Sequence, residues 1–291
     1  MSETIPGVYR LDTAEGVAVP LVLDSPHSGA IYPDSFDTTV PMPVLRRAED
    51  MYVDDLFGDG PKLGAPLVSA LFPRSFIDPN RAERDLDRDL LSEPWPDPVA
   101  PTEKARLGHG LIWRVCPPDF PMYSRRLSIY EVRQRIAEYW HPYHAALQRC
   151  MDETQQRFGM AWHINCHSMP SSSLPKDSEF SNMRRADFVL GDRDGTTCER
   201  DFLNIVGTTL KSFGYRVRIN DPYKGVEIVR RHGRPDAGRN SLQIEINRAL
   251  YMNEETFERT AYYPTLKSHL TKMIEIVGSY ALGRVGAKAA E

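Results

Sequence analysis

The sequence predicts an α/β fold in which helices flank a mixed, largely parallel twisted sheet. Segments rich in valine and isoleucine alternate with long helical patterns along the chain, and this alternation is typical of α/β proteins. No internal repeat or shift in composition marks a boundary, so we expect one domain over residues 1–291. The 41% hydrophobic content is enough for a substantial buried core.

The predicted strands are short apolar runs of the kind that form buried strands. In the last of them, apolar Leu242 and Ile246 alternate with polar Gln243 and Glu245, which places the two sets on opposite faces of the sheet. The predicted strand segments are 17–25, 65–72, 75–80, 160–168, 186–192, 215–220, 226–233 and 241–247.

The clearest predicted helix begins at a capping box formed by Ser128 and Glu131. Apolar residues follow at spacings of three and four as far as Leu147, which indicates an amphipathic helix that covers one sheet face. Further helices are predicted at about 46–57, 197–213 and 265–282, with a frayed end over residues 283–291.

Residues 73–127 form the least regular part of the chain, dense in proline, arginine and aspartate. Long segments without helical or strand periodicity inside a regular domain are often functional. For Glu83–Asp89 within this segment, we expect a surface excursion with solvated charges.

The overall charge argues against nucleic acid or an anionic membrane surface as the partner. The formal net charge is −4 and the pI is near 6.1, so no bulk positive field is present. No run approaches the roughly 18 apolar residues of a membrane span, and the first residues lack the pattern of a signal peptide. The four cysteines are scattered, which predicts reduced thiols. We therefore expect a cytoplasmic protein that acts on a small molecule or binds another protein.

Two histidines follow predicted strands at the edge where open α/β sheets place their ligands. His27 comes directly after the first long strand, and His167 lies at the end of 160–168. His163 is four residues earlier on the same strand, about 13 Å away, which is too far for both side chains to share one metal. His141 and His144 form a rival pair on one helix flank, but no carboxylate lies at a neighbouring turn.

A catalytic zinc site needs a carboxylate beside two histidines and an open position. The predicted helix at 46–57 supplies one, because Asp50 shares a flank with core-facing Val53. An acidic run of this kind is most often a solvated face. In a sheet covered on both sides, however, Glu245 faces a dry interior near a strand end and becomes a candidate general base. HExxH, GxSxG and glycine-rich nucleotide-binding motifs are absent from the sequence.

Between about residues 18 and 255, the chain carries several short segments in a specific order and spacing. These segments are PHSG at 26–29, EDMYVDDLF at 49–57, DPNR at 78–81, GLIWR at 110–114, PYH at 142–144, CHSM at 166–169, YKG and RRHGRP between 223 and 235, and LQIEINRALYMNE at 242–254. Taken together rather than singly, they resemble the N-formylglutamate amidohydrolase family.

The resemblance implies a fold similar to that of zinc carboxypeptidases and aspartoacylases, and it implies a set of site residues. The family's metal ligands fall on His27, Asp50 and His167, and its catalytic glutamate falls on Glu245. The Asn-Arg pair that binds a substrate carboxylate falls on Asn80 and Arg81, and we expect basic residues of the other matching segments, Arg114, Lys224 and Arg231, to assist it.

Two positions depart from the family pattern. Met51-Tyr52 stands where the family usually has an aromatic residue followed by histidine, and Asn165 stands where it often has aspartate. The four residues that the resemblance assigns to the metal and to the base are nevertheless present, as expected of a catalytic member.

The resemblance thus implies a zinc-dependent amidohydrolase, with another divalent metal as an alternative. It would cleave N-formyl-L-glutamate to formate and L-glutamate in histidine breakdown. A carboxypeptidase or a deacylase for larger acyl groups is the second interpretation within enzymes, and a non-catalytic binding relative is a third. The partner would be a small N-acyl amino acid, and the sequence leaves the oligomeric state open.

Overall fold

The computed structural model describes residues 2–172 and 185–288, and within them eight strands form one mixed sheet. The predicted α/β fold is confirmed. Four pairings of these strands are parallel and three are antiparallel. A separate two-stranded hairpin lies in the irregular segment. The strands are β1 Ser2–Ile5, β2 Tyr9–Asp12, β3 Leu21–Ser25, β4 Leu67–Ala70, β5 Val115–Cys116, β6 Phe120–Pro121, β7 Ala161–Met169, β8 Phe188–Gly191, β9 Val217–Ile219 and β10 Arg239–Asn247.

Strand order in the large sheet is β1-β2-β4-β3-β7-β10-β8-β9. The central strands β3, β7 and β10 run parallel, so their carboxyl ends meet at one edge. In this register, Glu245 of β10 lies directly beside His167 of β7. The chain leaves β3 at the same edge two residues before His27.

Helices cover both faces of the sheet and divide the buried apolar side chains into two large clusters. One cluster lies beneath the long helical stretch that begins at Ile129, and the other lies beneath the C-terminal helix. The helices are α1 Met42–Leu45, α2 Val53–Leu56, α3 Glu103–Arg106, α4 Ile129–Arg135, α5 His141–Phe158, α6 Arg200–Ser212, α7 Glu227–His232 and α8 Tyr263–Lys288, with a π-helical turn at Ile136–Trp140 joining α4 to α5.

Two predicted strands are wrong. Segment 226–233 forms α7, because Ile228, Val229 and His232 share a buried helical face that its β-branched composition concealed. Segment 75–80 forms turns, because Asp78 accepts a hydrogen bond from the backbone of Asn80 instead of leaving it for a sheet. The predicted frayed end is helical as far as Lys288, and residues 289–291 lie outside the described residues.

The predicted helix over 46–57 is interrupted, because only Arg46–Ala48 and Val53–Leu56 are helical and Asp50 lies between them. A short turn ends at Ala48, α2 begins at Val53, and Tyr52 between them adopts a left-handed backbone conformation with φ of 66°. Tertiary contacts override the helical pattern here. The Asp50 backbone donates to the His27 carbonyl at 2.9 Å, and the Tyr52 hydroxyl donates to the Phe257 carbonyl at 2.9 Å.

The expectation of solvated charges over Glu83–Asp89 fails at two positions. Asp85 is buried and accepts hydrogen bonds from the backbone and hydroxyl of Thr102. Asp87 is buried against Arg114. These carboxylates hold the irregular segment together. All four cysteines are free and buried, and within the described residues no helix combines the length and apolar character needed to cross a membrane.

Replacing Glu131 by glutamine tests the capping box at the start of α4. The side chains of Ser128 and Glu131 cap each other's backbone amides, and Arg125 together with these bonds lowers the pKa of Glu131 to about 2. We expect Glu131→Gln to lower the free energy of unfolding at pH 7 by about 0.5–1 kcal/mol, measured by urea denaturation.

This stabilisation depends on pH with a definite sign. The pKa of Glu131 in the folded state lies below its ordinary value of 4.5, so the contribution is complete above pH 4.5 and is lost as the pH falls toward 2. The difference between parent and variant should therefore shrink below pH 4.5. Glu153→Gln, at an exposed position of α5, is the matched control, and an equal loss in both variants would contradict the assignment.

Candidate metal and active site

The loop after β3, which carries His27, packs closely against the backbone that directly follows β4. A side chain at Gly29 would collide with the carbonyls of Leu71 and Phe72, so only glycine allows this approach. Ser28 donates to the Asp50 carbonyl at 3.1 Å and accepts from the Asp54 backbone at 3.1 Å. These contacts hold the acidic segment, residues 49–57, beside His27.

His27, Asp50 and His167 converge in the interior with one ligand atom each within 4.8 Å of the others. Asp50 Oδ2 lies 3.1 Å from His167 Nδ1 and 3.4 Å from His27 Nδ1. His27 Nδ1 is buried and makes no hydrogen bond to a described residue. A buried nitrogen lone pair without a donor, beside a second imidazole and a carboxylate, matches the ligand set of a divalent metal such as zinc.

The second nitrogen of each ring has polar partners of its own. His27 Nε2 lies 2.7 Å from Asp78 Oδ1, which accepts its proton and leaves His27 Nδ1 available to a metal. His167 Nε2 lies 2.8 Å from Asn165 Oδ1 and 3.1 Å from Asn80 Nδ2, and His167 Nδ1 forms a hydrogen bond with Asp50. Metal-binding histidines commonly have such an oriented partner.

Arg248 forms a hydrogen bond and ion pair with the other oxygen of Asp50. Its Nη2 donates to Asp50 Oδ1 at 2.9 Å, while its Nε donates to Ser168 at 3.1 Å. Burial opposes ionisation of Asp50, but the two histidines and Arg248 outweigh it and hold the pKa of Asp50 well below its ordinary value. Asp50 is thus an anion with Oδ2 left to face the histidines.

Glu245 stands beside this group on β10 and is almost fully buried. Burial and the negative charge of Asp50 raise the pKa of Glu245 well above its ordinary range. Gln243 donates a hydrogen bond to Glu245 Oε1 at 2.9 Å. A carboxylate with a raised pKa in a dry site is suited to accept and return a proton.

The irregular segment supplies a basic wall of the same site. Arg74 pairs with Asp78 Oδ2 at 2.9 Å, which leaves its charge close to the ligand group. Arg81 is 12% exposed, and its Nε makes no hydrogen bond to a described residue and lies 4.0 Å from Asp78. Asn80 makes its contacts inward, accepting from the Ile228 backbone at 3.0 Å. Arg81 therefore has unused donor capacity at this wall.

A cavity of about 750 Å³ opens onto these groups and is lined by His27, His167, Glu245, Asn80 and Arg81. Lys224 also lines it and pairs with Asp194 at 2.9 Å. Among the described residues, the basic side chains at its wall are Arg46, Arg47, Arg74, Arg81, Lys104, Lys224 and Arg248.

Two arginines expected at the substrate lie elsewhere. Arg114 is turned to Asp87 with its Nε at 2.6 Å, because that buried carboxylate needs a counter-charge. Arg231 lies over the ring of Trp140 at 4.8 Å and 3.6 Å from Glu227. Neither is part of the cavity wall.

The other candidate histidines have structural contacts. His163 bonds to Asp24 at 2.9 Å and to Ser241 at 2.7 Å. His144 bonds to the Pro79 carbonyl at 2.8 Å. His141, the other member of the rival pair, is exposed at the start of α5 and lies 3.2 Å from Glu83.

Sequence reasoning missed three side chains of the site: Arg74, Asp78 and Gln243. Asp78 and Gln243 lie in segments that carried the family resemblance, but their partners are distant in sequence. Arg74 belongs to no recognised segment, and nothing in the sequence distinguishes it from a surface arginine. Only the folded chain shows that Asp78 joins His27 to Arg74.

Comparison with known proteins identifies the family of the chain. The sequence profile of the N-formylglutamate amidohydrolase family matches residues 19–252. The chain belongs to this family. A crystal structure of N-formylglutamate amidohydrolase from Ralstonia eutropha JMP134 is similar with a TM-score of 0.91 and 48% identity, covering 94% of this chain and 98% of that one.

More distant relatives extend the comparison. N-formylglutamate deformylases from Pseudomonas putida and Pseudomonas aeruginosa are 27% and 26% identical to the chain. The matches cover 81% of this chain in both cases, and 83% and 84% of the relatives. An Agrobacterium tumefaciens structure shares the fold, with a TM-score of 0.66 at 17% identity over 96% of each chain.

Replacing Asp78 by asparagine tests how His27 is held. The amide keeps the shape of the carboxylate but removes the charge that stabilises His27 Nε2–H, so we expect the affinity for zinc to fall roughly 10- to 100-fold. Competition with a chelating dye measures this affinity. Asp89→Asn, at an exposed position of the same segment, is the control, and unchanged affinity in a folded Asp78→Asn protein would contradict the arrangement.

Proposed function

We propose that the chain hydrolyses N-formyl-L-glutamate to formate and L-glutamate in histidine breakdown, and that His27, Asp50 and His167 hold a divalent metal, with zinc the first candidate. The observation that carries the proposal is the buried His27 Nδ1, which makes no hydrogen bond to a described residue and lies beside His167 and Asp50 at the wall of a basic cavity. The family membership and the deformylase relatives support the same reaction. A divalent ion at these ligands supplies Lewis acidity toward the formyl carbonyl and the attacking water.

Glu245 serves as general base and then as general acid. Its carboxylate accepts a proton from water as the water oxygen bonds to the formyl carbon. It returns the proton to the amide nitrogen as the carbon–nitrogen bond breaks, which releases formate and the free amine. The raised pKa of Glu245 suits this exchange, because a more basic carboxylate accepts a proton from water more readily.

Arg74 and Arg81 supply positive charge, the first near the formyl oxygen and the second for a substrate carboxylate. Arg74 lines the cavity and contributes a positive potential at the site where charge develops on the formyl oxygen. Arg81 has an unused guanidinium edge for a substrate carboxylate, and a bidentate pair suits that geometry. The chain carries a net charge of −4, so this local basic wall has to overcome the repulsion of a dianionic substrate.

Replacing Glu245 by glutamine tests the base. Glutamine keeps the shape but accepts no proton, so kcat for N-formyl-L-glutamate should fall by roughly two to four orders of magnitude. The metal content should equal that of the parent, because Glu245 is not among the three converging ligands. Parent-like turnover in this variant would remove Glu245 from the mechanism.

Replacing Arg81 by alanine tests substrate selection. Loss of a charge-assisted pair to a carboxylate should lower kcat/KM for N-formyl-L-glutamate about 100-fold. N-formyl-L-glutamine, which lacks the side-chain charge, and N-formyl-L-norvaline should be poor substrates of the parent. Arg84→Ala, at an exposed arginine three residues along, should leave all three rates unchanged.

The comparison of substrates also shows which carboxylate Arg81 binds. An effect confined to N-formyl-L-glutamate places the side-chain carboxylate at Arg81. An equal loss for all three compounds places the α-carboxylate there, and equal parental rates on acidic and neutral compounds would contradict selection by arginine.

A further inference from the structure

The carboxylate of Glu245 is held by a line of amides rather than by a charged side chain. Gln243 Nε2 donates to Glu245 Oε1 at 2.9 Å. Asn80 Nδ2 donates to Gln243 Oε1 at 3.4 Å, and the Ile228 backbone donates to Asn80 Oδ1 at 3.0 Å. The line therefore joins β10, the irregular segment and α7.

The direction of these hydrogen bonds follows from one fixed donor. The Ile228 backbone N–H can only donate, so Asn80 turns its oxygen toward it and its nitrogen toward Gln243. Gln243 then accepts with its oxygen and presents its nitrogen to the carboxylate. Flipping Gln243 would set its oxygen against the Glu245 carboxylate and its nitrogen against that of Asn80. The Asn80 nitrogen also lies 3.1 Å from His167 Nε2.

The line is buried. Asn80 and Gln243 are 3% and 2% exposed, and Ile228 is fully buried. Gln243 and Glu245 are two residues apart on one strand, so their side chains leave the same sheet face side by side. Among the described residues, Glu245 Oε1 accepts from Gln243 and no hydrogen bond reaches Oε2, and Glu245 lines the cavity.

We propose that Gln243 is a positioning residue for the reaction: it fixes Oε1 of Glu245 so that Oε2 points at the attacking water. The inference rests on the proposed function in one respect, the assignment of Glu245 as the base. A neutral donor suits this positioning role. It orients the carboxylate but lowers its basicity less than an arginine or lysine would.

Replacing Gln243 by methionine removes the donor while keeping the length of the side chain. We expect kcat for N-formyl-L-glutamate to fall about 10- to 100-fold, because small displacements of a catalytic group cost this much. KM should change by less than about threefold, since Gln243 acts on the base. A rise in KM with kcat unchanged would overturn the proposal.

Ser241→Ala is the matched control. Ser241 lies two residues before Gln243 on the same buried strand face, and its hydroxyl bonds to His163 instead of Glu245. This variant should lose thermal stability with kcat unchanged. If it lowers kcat as much as Gln243→Met does, the effect is general weakening of the strand and the proposal fails.

A double-mutant cycle isolates the route through Glu245. In the Glu245→Gln background, Gln243→Met should change the residual kcat by less than about twofold, because the group it positions is already inactive. A further tenfold loss in that background would show an independent role and would contradict the proposal.

Crystal structures of Gln243→Met and Ser241→Ala test the same claim without turnover. The Glu245 carboxylate should occupy more than one rotamer, or a new one, in Gln243→Met and keep its position in Ser241→Ala. An unmoved carboxylate in Gln243→Met overturns the inference even if the parent is an active deformylase. If the parent does not act on N-formyl-L-glutamate, the proposed function fails, and the rotamer comparison still decides whether Gln243 positions Glu245.

Discussion

The ligand group depends on the hydrogen bond between His27 Nε2 and Asp78 Oδ1, at 2.7 Å. This bond assigns the proton to Nε2 and leaves Nδ1 facing Asp50. Arg74 neutralises the other oxygen of Asp78, so the buried carboxylate has both oxygens occupied. The chain runs in turns here, with Asp78 accepting from the Asn80 backbone while Arg74 and Arg81 reach the cavity wall.

Beneath the site, a second buried carboxylate also has a hydrogen-bond donor for each of its oxygens. Asp24 is buried and accepts hydrogen bonds from Tyr143, His163 and Asn165. Burial opposes its ionisation, but these donors outweigh burial and lower the pKa of Asp24. Buried charge is tolerated here because each oxygen has a donor.

Asn165 shows why the departure from the family pattern is compatible with the site. Its oxygen accepts from His167 Nε2 at 2.8 Å, and its nitrogen donates to Asp24 Oδ1 at 2.7 Å. An aspartate in this place would set two carboxylates against each other. The amide orients His167 without adding charge, so Asn165 is matched to the buried Asp24.

The sequence predicts the sheet and the long helices well, because their apolar periodicity reflects burial directly. It fails where tertiary contacts decide. Val226–Gly233 contains β-branched residues that favour a strand, yet its buried positions recur at helical spacing once it packs on β7 and β10. The acidic segment has helical periodicity, but Asp50 is drawn out of a helix by His27 and Arg248.

For the site, strand ends and family resemblance identify side chains that converge in the fold, whereas their partners Asp78, Arg74 and Gln243 lie far away in sequence. The roles of the arginines could not be read from composition, because a buried counter-charge such as Asp87 is visible only in three dimensions.

The most direct test of this account is the metal content of the protein purified without chelator. Elemental analysis should find about one divalent ion per chain in the parent, because the cluster offers one set of three ligands. His27→Ala and His167→Ala should each lose most of it while His163→Ala retains it, since His163 bonds to Asp24 and Ser241 instead. Metal bound as tightly by folded His27→Ala and His167→Ala as by the parent would contradict the account.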